Sequence, residues 1–226
     1  MYLNKYFSKK ELLMWGISLF VIIVSFILFD RTSYITLLSS LIGVTSLIFA
    51  AKGNPVGMLL MIIFSFIYGA ISYSFRYYGE TLTYVGMTMP MSLISLIMWL
   101  KHPYKGKRSQ VEVGKLSGLK VSIMLLFTVA VTIIFYFILR FFDTINLIFS
   151  TLSVTTSFLA VYFTALRSPY YALAYAFNDI ILIILWTLAA FENVKFISVI
   201  ICFGAFLMWD LYGFYSWKQM YKKQNK

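Results

Sequence analysis

The sequence predicts an all-α membrane protein with eight transmembrane helices. Of its 226 residues, 61% are hydrophobic and 12% are charged, whereas a soluble domain carries roughly 25% charged residues to keep its surface in water. The apolar residues also form continuous runs of about 18–22 residues, and a helix needs roughly 20 to cross the hydrocarbon core of a bilayer. Continuous runs exclude a transmembrane β-barrel, whose strands alternate apolar and polar residues.

Eight apolar runs follow one another, separated by charged or turn-forming residues. A helix is predicted over each run because, in lipid, a helix satisfies its own backbone hydrogen bonds. The first run has no small-residue cleavage site, so we expect a true span and not a signal peptide. The predicted spans, numbered one to eight, are Leu12–Phe29, Tyr34–Ala51, Pro55–Phe75, Thr81–Leu100, Val121–Phe141, Ile145–Ala165, Tyr170–Ala190 and Phe196–Trp217.

The basic residues predict the orientation of the spans. Four of the 19 lysines and arginines fall in loops on one side of the bundle, and the other 15 fall on the side of the two termini. Because basic loops stay in the cytoplasm, both termini are expected there, with the protein in a bacterial cytoplasmic membrane. The net charge of +11 then faces anionic lipid headgroups, and no nucleic-acid partner is predicted. The four residues on the outer side are Arg31, Arg76, Arg140 and Lys195.

A weak internal repeat divides the chain, since three features of spans two to four recur in order in spans six to eight. Span five is then a linker and span one an addition, which gives a 1+3+1+3 plan. Equivalent helices lie four spans apart, so the repeats are expected to be parallel; chance similarity between apolar helices is the alternative. The matching features are residues 40–50 with 150–160, Pro55 with Pro169, and Trp99 with Trp217. The predicted units are 1–33 (tail and extra helix), 34–101 (first repeat), 102–142 (basic cytoplasmic loop and linker helix) and 143–226 (second repeat and basic tail).

Two carboxylates, Asp179 and Asp210, fall within predicted spans, whereas the other six of the eight acidic residues, Glu80 among them, fall in predicted loops. A carboxylate near the bilayer centre costs several kcal/mol unless it faces a polar cavity or a partner. No lysine or arginine lies deep in a span to pair with either carboxylate, which favours a water-filled cavity. The alternative for Asp179 is a protonated or hydrogen-bonded group that packs between helices, and the alternative for Asp210 is a side chain that reaches toward the inner interface.

The candidate substrate site is built around Asp179. Asn178 precedes it, and Trp186 follows on nearly the same helix face, where a carboxylate and an aromatic plane suit a planar heterocycle joined to a sugar. A place in the aromatic belt at the membrane interface is the alternative for Trp186 and the expected role of Trp217. The repeat aligns Asp179 and Asp210 with two serines of the first repeat, and the remaining candidates are Ser65, Ser92, Tyr68 and Thr88.

Span four carries a polar stripe at three- and four-residue steps. The stripe predicts a face that lines a cavity or, alternatively, close packing of small side chains. Pro90 interrupts the α-helical hydrogen bonding of this span and permits a bend. The stripe consists of Thr81, Tyr84, Thr88, Ser92 and Ser95.

The chain has one cysteine, Cys202, and one histidine, His102. This composition excludes a disulfide within the chain and a cysteine-rich metal site, and it leaves no Ser/His/Asp arrangement, so neither a cofactor nor an enzymatic activity is predicted. The alternatives from another class are an intramembrane enzyme that uses Asp179 and Asp210 as a carboxylate pair and a scaffold that transports nothing.

Two helix pairs resemble the PnuC family of vitamin transporters, and the resemblance covers most of the chain. They are spans three to four, from Gly53-Asn-Pro-Val-Gly through Met98-Trp-Leu-Lys, and spans seven to eight, from Phe177-Asn-Asp-Ile through Tyr215-Ser-Trp-Lys. The resemblance implies a SWEET-like fold of two parallel three-helix repeats. It also implies facilitated uptake of nicotinamide riboside, which a cytoplasmic kinase traps by phosphorylation. Thiamin or a deoxynucleoside is the alternative substrate, because related members carry these and Tyr212-Gly-Phe-Tyr-Ser-Trp departs from the paired tryptophans of other members. Proton coupling through Asp179 and assembly into a homo-oligomer are left open.

Overall fold

The computed structural model of the protein describes residues 6–74 and 77–225. In that part of the chain, eight helices are long and apolar enough to cross a membrane, which confirms the predicted fold class. In chain order they are α1 Lys9–Phe29, α2 Tyr34–Ala51, α3 Val56–Ser74, α4 Tyr78–Lys101, α5 Gly118–Phe141, α6 Leu147–Ala165, α7 Tyr170–Ala190 and α8 Val194–Gln224.

The predicted bounds are confirmed for α2 and α7 and are too short for α1, α5 and α8, because these helices continue past the apolar run. The added turn of α1 is held by a capping box: the Ser8 hydroxyl accepts a hydrogen bond from the backbone N–H of Glu11, and the Glu11 carboxylate accepts one from the backbone N–H of Ser8. The predicted end of span three, Phe75, lies outside the described residues, as does Arg76.

The start of α4 corrects one prediction. The helix begins at Tyr78 and not at Thr81, because one further helical turn precedes the apolar run. Glu80, which the sequence places in a loop, therefore lies in the first turn of α4, with 3% of its surface exposed.

The middle of α4 departs from α-helical geometry. From Leu82 to Thr88 the backbone is π-helical, and the N–H of Met89 donates to the carbonyl of Tyr84, five residues back. Pro90 follows directly and has no N–H to donate. The predicted interruption of α-helical hydrogen bonding is therefore present, in the form of a π-helical stretch.

The packing of the helices agrees with the predicted repeat. α2 packs against α3 as α6 packs against α7, and α2 packs against α8 as α6 packs against α4. If α2, α3 and α4 are replaced by their equivalents α6, α7 and α8, and the reverse, each of these contacts becomes its counterpart. α1 packs against α2 and α8, whereas α5 packs mainly against α6 and is the least buried of the eight helices. This arrangement is consistent with the 1+3+1+3 plan.

Three tryptophans near helix ends lie inside the bundle. Trp217, which the sequence places in an interfacial belt, is 0% exposed, and Trp99 and Trp186 are 1% and 2% exposed. The belt prediction is wrong for Trp217 because α8 continues beyond it, and its indole N–H donates to the carbonyl of Ala50 in α2. The rings of Trp99 and Trp217 are 5.3 Å apart between centroids.

The loop between α4 and α5 contains a short hairpin. β1 Pro103–Tyr104 pairs antiparallel with β2 Lys107–Val111, and Lys105 and Gly106 in the turn have positive φ values of 48° and 75°, as tight hairpin turns require. Because the number of spans is even, this loop lies at the same end of the bundle as the two termini. We call that end, predicted to be cytoplasmic, the inner end and the opposite one the outer end.

Candidate functional site

Two cavities follow one another between the two repeats. The first, the outer chamber, has a volume of about 110 Å³ and is lined by residues of α2, α3, α7 and α8 near the outer end. The second, the central pocket, has about 20 Å³, which is room for a single water molecule. On α2, α3 and α8 the residues that line the central pocket lie closer to the inner end than those that line the outer chamber, so the cavities are stacked across the membrane.

The mouth of the outer chamber is polar. The carboxylate of Asp30 accepts hydrogen bonds from the hydroxyl of Thr32 at 3.1 Å and from the backbone N–H of Ser33 at 3.3 Å. The ammonium group of Lys195 donates to the hydroxyl of Thr32 at 3.1 Å. Both charge signs therefore occur at the mouth, and a polar solute meets hydrogen-bonding groups before any apolar surface.

The floor of the outer chamber is aromatic. The indole N–H of Trp186 donates to the hydroxyl of Tyr68 at 3.0 Å, with both side chains buried. The rings of Tyr77 and Trp186 meet edge to face, with centroids 4.9 Å apart, and burial raises the pKa of the Tyr77 hydroxyl. The hydroxyl of Ser39 also lines the chamber and is buried with no hydrogen-bond partner among the described residues.

Asp179 and Asp210 meet in the central pocket. They are 3% and 4% exposed, and both line the pocket. One oxygen of Asp179, Oδ2, is buried without a hydrogen-bond partner in the described part of the chain. No lysine or arginine is among the described residues that line the pocket, so the two carboxyl groups lack a compensating positive charge there.

Asn178 is held by the neighbouring helix α6. Its side-chain oxygen lies 3.3, 3.0 and 3.0 Å from the hydroxyls of Ser153, Thr156 and Ser157. A side-chain amide has one oxygen and one NH₂ group. With the oxygen held by α6, the NH₂ group is left to donate into the central pocket, which Asn178 also lines.

A layer of aromatic rings separates the two cavities. Phe64 lines both of them, and its ring lies 5.5 Å from that of Phe206 and 5.8 Å from that of Tyr84. Tyr68 lies 4.5 Å from Tyr84 and 5.9 Å from Phe203. We call these five residues the aromatic layer, and a solute in the outer chamber reaches the central pocket only if their rings move.

The predicted site residues fall into three groups. Two, Tyr68 and Trp186, line the outer chamber. Ser65 and Ser92 line neither cavity: Ser65 is fully buried beside Phe64, and Ser92 lies one turn closer to the inner end than Thr88. The residues brought together at the central pocket are Asn178, Asp179, Asp210 and Thr88.

Sequence reasoning missed the three phenylalanines of the aromatic layer and one polar face. Phenylalanine occurs in seven of the eight predicted spans, so composition alone gave no reason to select Phe64, Phe203 and Phe206. The missed polar face lies on α2, where hydroxyls at three- and four-residue spacing line the outer chamber. The same spacing search that found the stripe on α4 would have selected them: Thr36, Ser39 and Ser40.

The stacked cavities with buried polar groups suit a solute pathway, and comparison with known proteins identifies the family. The model of the nicotinamide mononucleotide transporter family matches residues 33–219. The chain belongs to this family. The transporter is therefore a multi-pass membrane protein, and the match covers both predicted repeats but not α1.

Two known proteins resemble the transporter over most of its length. The nicotinamide riboside transporter PnuC of Neisseria mucosa is 23% identical over 201 residues, covering 87% of this chain and 76% of that protein. The crystal structure of the vitamin B3 transporter PnuC superposes with a TM-score of 0.84 at 21% identity, covering 96% of this chain and 94% of the other. At this identity the structural match establishes that the two chains share a fold.

Proposed function

We propose that the transporter takes up nicotinamide riboside by facilitated diffusion and binds it in the central pocket. The observation that carries the proposal is the pair of carboxyl groups, Asp179 and Asp210, in a pocket whose described lining has no basic residue. Nicotinamide riboside has a permanently charged pyridinium ring. A cation in this pocket offsets the cost of the buried carboxylates and gains from the aromatic faces above it.

The same charges favour the nucleoside over the mononucleotide. Nicotinamide mononucleotide carries the same pyridinium ring and adds a phosphate. A phosphate beside Asp179 and Asp210 would meet negative charge without an arginine or lysine to bind it, and like charges placed together cost several kcal/mol. The name of the relative from Neisseria mucosa, a nicotinamide riboside transporter, supports the same choice.

Each proposed contact has a role that suits the ligand. The NH₂ group of Asn178 donates to the carboxamide oxygen or to a ribose hydroxyl, and Thr88 adds a hydroxyl on the α4 side. Asp179 and Asp210 accept from ribose hydroxyls and neutralise the ring charge. In the outer chamber, Trp186 and Tyr68 stack against the entering ring. Ser65 and Ser92 stay predictions, because they line neither cavity in this conformation.

The pocket must widen before it can hold a nucleoside, because it has about 20 Å³. We infer that entry starts in the outer chamber and that the aromatic layer then opens. With both termini in the cytoplasm, the outer chamber faces outwards and uptake proceeds inwards. No ion is needed to move a cation down its own gradient, and phosphorylation by a cytoplasmic kinase traps the product.

Uptake into vesicles that contain the purified protein tests this proposal. We expect radiolabelled nicotinamide riboside to equilibrate across the membrane without exceeding the outside concentration, and a protonophore to leave the rate unchanged. Enclosing a nicotinamide riboside kinase and ATP should then drive accumulation. Accumulation without the kinase that a protonophore abolishes would replace uniport with proton coupling. No uptake above that of protein-free vesicles would overturn the proposal.

Thiamin is the second candidate, because it is also a cation with a planar ring. The carboxyl pair favours it over an uncharged deoxynucleoside, which has no charge to pair with Asp179. Competition distinguishes the two cations: unlabelled thiamin should inhibit uptake of nicotinamide riboside only weakly if the latter is the substrate. If thiamin inhibits this uptake at a lower concentration than unlabelled nicotinamide riboside does, thiamin becomes the first candidate substrate and nicotinamide riboside the second.

A further inference from the structure

The inner end of the bundle is closed by two contacts that are copies of each other. The indole N–H of Trp99, at the end of the first repeat, donates to the carbonyl of Thr164 in the second repeat at 2.9 Å. The indole N–H of Trp217, at the end of the second repeat, donates to the carbonyl of Ala50 in the first repeat at 2.9 Å. Each repeat is therefore bound by the final tryptophan of the other.

The two accepting carbonyls hold equivalent positions. Ala50 and Thr164 each lie five residues before the proline that opens the next helix, Pro55 and Pro169. Both carbonyls belong to the last turn of a helix, and each also accepts from the backbone N–H three residues on, Ala50 from Gly53 and Thr164 from Arg167. The equivalence makes these bonds a property of the repeat and not of one local sequence.

A short segment of the loop after β2 joins the same two turns a second time. The backbone N–H of Val111 donates to the carbonyl of Gly53, and that of Gly114 donates to the carbonyl of Arg167, both at 2.9 Å. Gly53 and Arg167 each lie two residues before the repeated proline, and both have a left-handed backbone, with φ of 67° and 57°. We call residues 111–114 the strap, because they cross from one repeat to the other.

The strap is also fixed to the end of α8. The side chain of Gln224 accepts a hydrogen bond from the backbone N–H of Val113 at 2.7 Å and donates one to the carbonyl of Val111 at 3.1 Å. Gly114 leaves no room for a side chain, because a Cβ there would collide with the backbone carbonyl of Leu166. Val111 is 0% exposed, so the strap is packed into the inner end.

We propose that Trp99, Trp217 and the strap together form the inner gate of the transporter, closed in this structure. The outer chamber reaches exposed residues at its mouth, such as Thr32 and Lys195. The indole bonds and the strap bonds, in contrast, join the two repeats at the inner end. A solute leaves at that end only if the repeats separate there, and separation breaks both indole bonds and both strap bonds. This inference rests on membership of a transporter family and does not depend on which solute is carried.

Two cysteine reporters test the proposal in opposite directions. Cys202 is the native cysteine and lines the outer chamber. Leu47→Cys in a Cys202→Ser background places a single thiol at the central pocket instead. An impermeant maleimide is applied to right-side-out vesicles for Cys202 and to inside-out vesicles for the thiol at position 47.

The test variants are Trp99→Phe and Trp217→Phe, which keep an aromatic ring and lose the indole N–H. Trp15→Phe is the matched control, because its indole donates to Thr45 between α1 and α2 and not between the repeats. Losing one hydrogen bond of ordinary strength destabilises the closed inner end. The fraction of molecules that are open there should then rise about two- to tenfold. We expect labelling at position 47 to rise by that factor, and more in the double variant.

Opening at the inner end should at the same time slow the labelling of Cys202, because alternating access closes the outer chamber. If both reporters react faster, the substitutions merely loosen the fold, and the gate assignment is wrong. It is also wrong if Trp99→Phe and Trp217→Phe match Trp15→Phe at both reporters. Gly114→Ala provides an independent check on the strap, with the same pair of shifts expected.

Discussion

The best-defined prediction concerns Glu11, which fixes α1 to the two repeats. Its carboxylate is 3% exposed and receives a hydrogen bond of 2.6 Å from the hydroxyl of Tyr212 on one oxygen and one of 2.6 Å from the backbone N–H of Ser8 on the other. The ammonium group of Lys52 lies 3.1 and 3.3 Å from the two oxygens. Four donor contacts thus converge on one buried carboxylate.

The substitution Glu11→Gln keeps the size of the side chain and halves its accepting capacity, because an amide has one oxygen where a carboxylate has two. One of the two short bonds is lost, and a hydrogen bond to a charged group contributes about 1.5–3 kcal/mol. The ion pair with Lys52 adds little, because the lysine is 27% exposed and solvent screens it. We therefore expect a loss of about 2 kcal/mol.

Thermal unfolding of the purified protein measures this loss. For a chain of this size, about 1 kcal/mol corresponds to roughly 2–4 °C in Tm, so Glu11→Gln should lower Tm by about 4–8 °C. Glu192→Gln is the matched control, because Glu192 is exposed at the outer end, and its Tm should stay within about 1 °C of the wild type. Equal Tm values for the two variants would refute the role assigned to Glu11.

Three further substitutions, the last paired with a control, give separate tests. Trp186→Phe removes the bond to Tyr68 and shrinks the aromatic face that meets the entering ring, so uptake should slow about fivefold; unchanged uptake would remove Trp186 from the pathway. Gly43→Ala places a methyl group against the aromatic layer and should slow uptake more than it weakens binding, which parallel kinetics and titration would check. Gly57→Ala puts a Cβ 2.6 Å from a backbone nitrogen and should lower Tm, whereas Gly86→Ala, with open space around it, should not; the reverse order would contradict the packing.

The spans could be predicted because lipid imposes a simple rule on the sequence. Every transmembrane helix needs a long apolar run, and the bounds of α2 and α7 follow from the polar residues that flank them. Bounds failed where a helix continued into polar sequence, as at the capping box of Ser8 and in the first turn of α4. Hydropathy cannot detect such turns, since their stability comes from hydrogen bonds and packing. Glu80 was misplaced for that reason.

The candidate site was predicted in part. Asp179 and Asp210 could be selected because carboxylates in spans are rare and costly, and the structure places them side by side. The phenylalanines of the aromatic layer could not be selected, because a phenylalanine that faces lipid and one that faces another helix look the same in sequence. The prediction that Trp217 lies in the interfacial belt was wrong for a similar reason. An indole near a helix end suits the membrane interface as well as it suits a buried carbonyl of the neighbouring repeat.

The central claim is that the charge of the central pocket selects a cationic nucleoside. Binding of nicotinamide riboside, nicotinamide mononucleotide and a deoxynucleoside to the purified protein, with Asp179→Asn and the exposed control Asp143→Asn, tests it most directly. A unit charge about 4 Å away contributes up to about 4 kcal/mol near a protein surface. Part of that contribution is offset by desolvation of the cation. Asp179→Asn should therefore weaken the binding of nicotinamide riboside at least tenfold, and Asp143→Asn should leave it unchanged. The mononucleotide should bind at least about 100-fold more weakly than the nucleoside. Equal binding of nicotinamide riboside and nicotinamide mononucleotide would contradict the account. So would an Asp179→Asn variant that binds nicotinamide riboside with unaltered affinity.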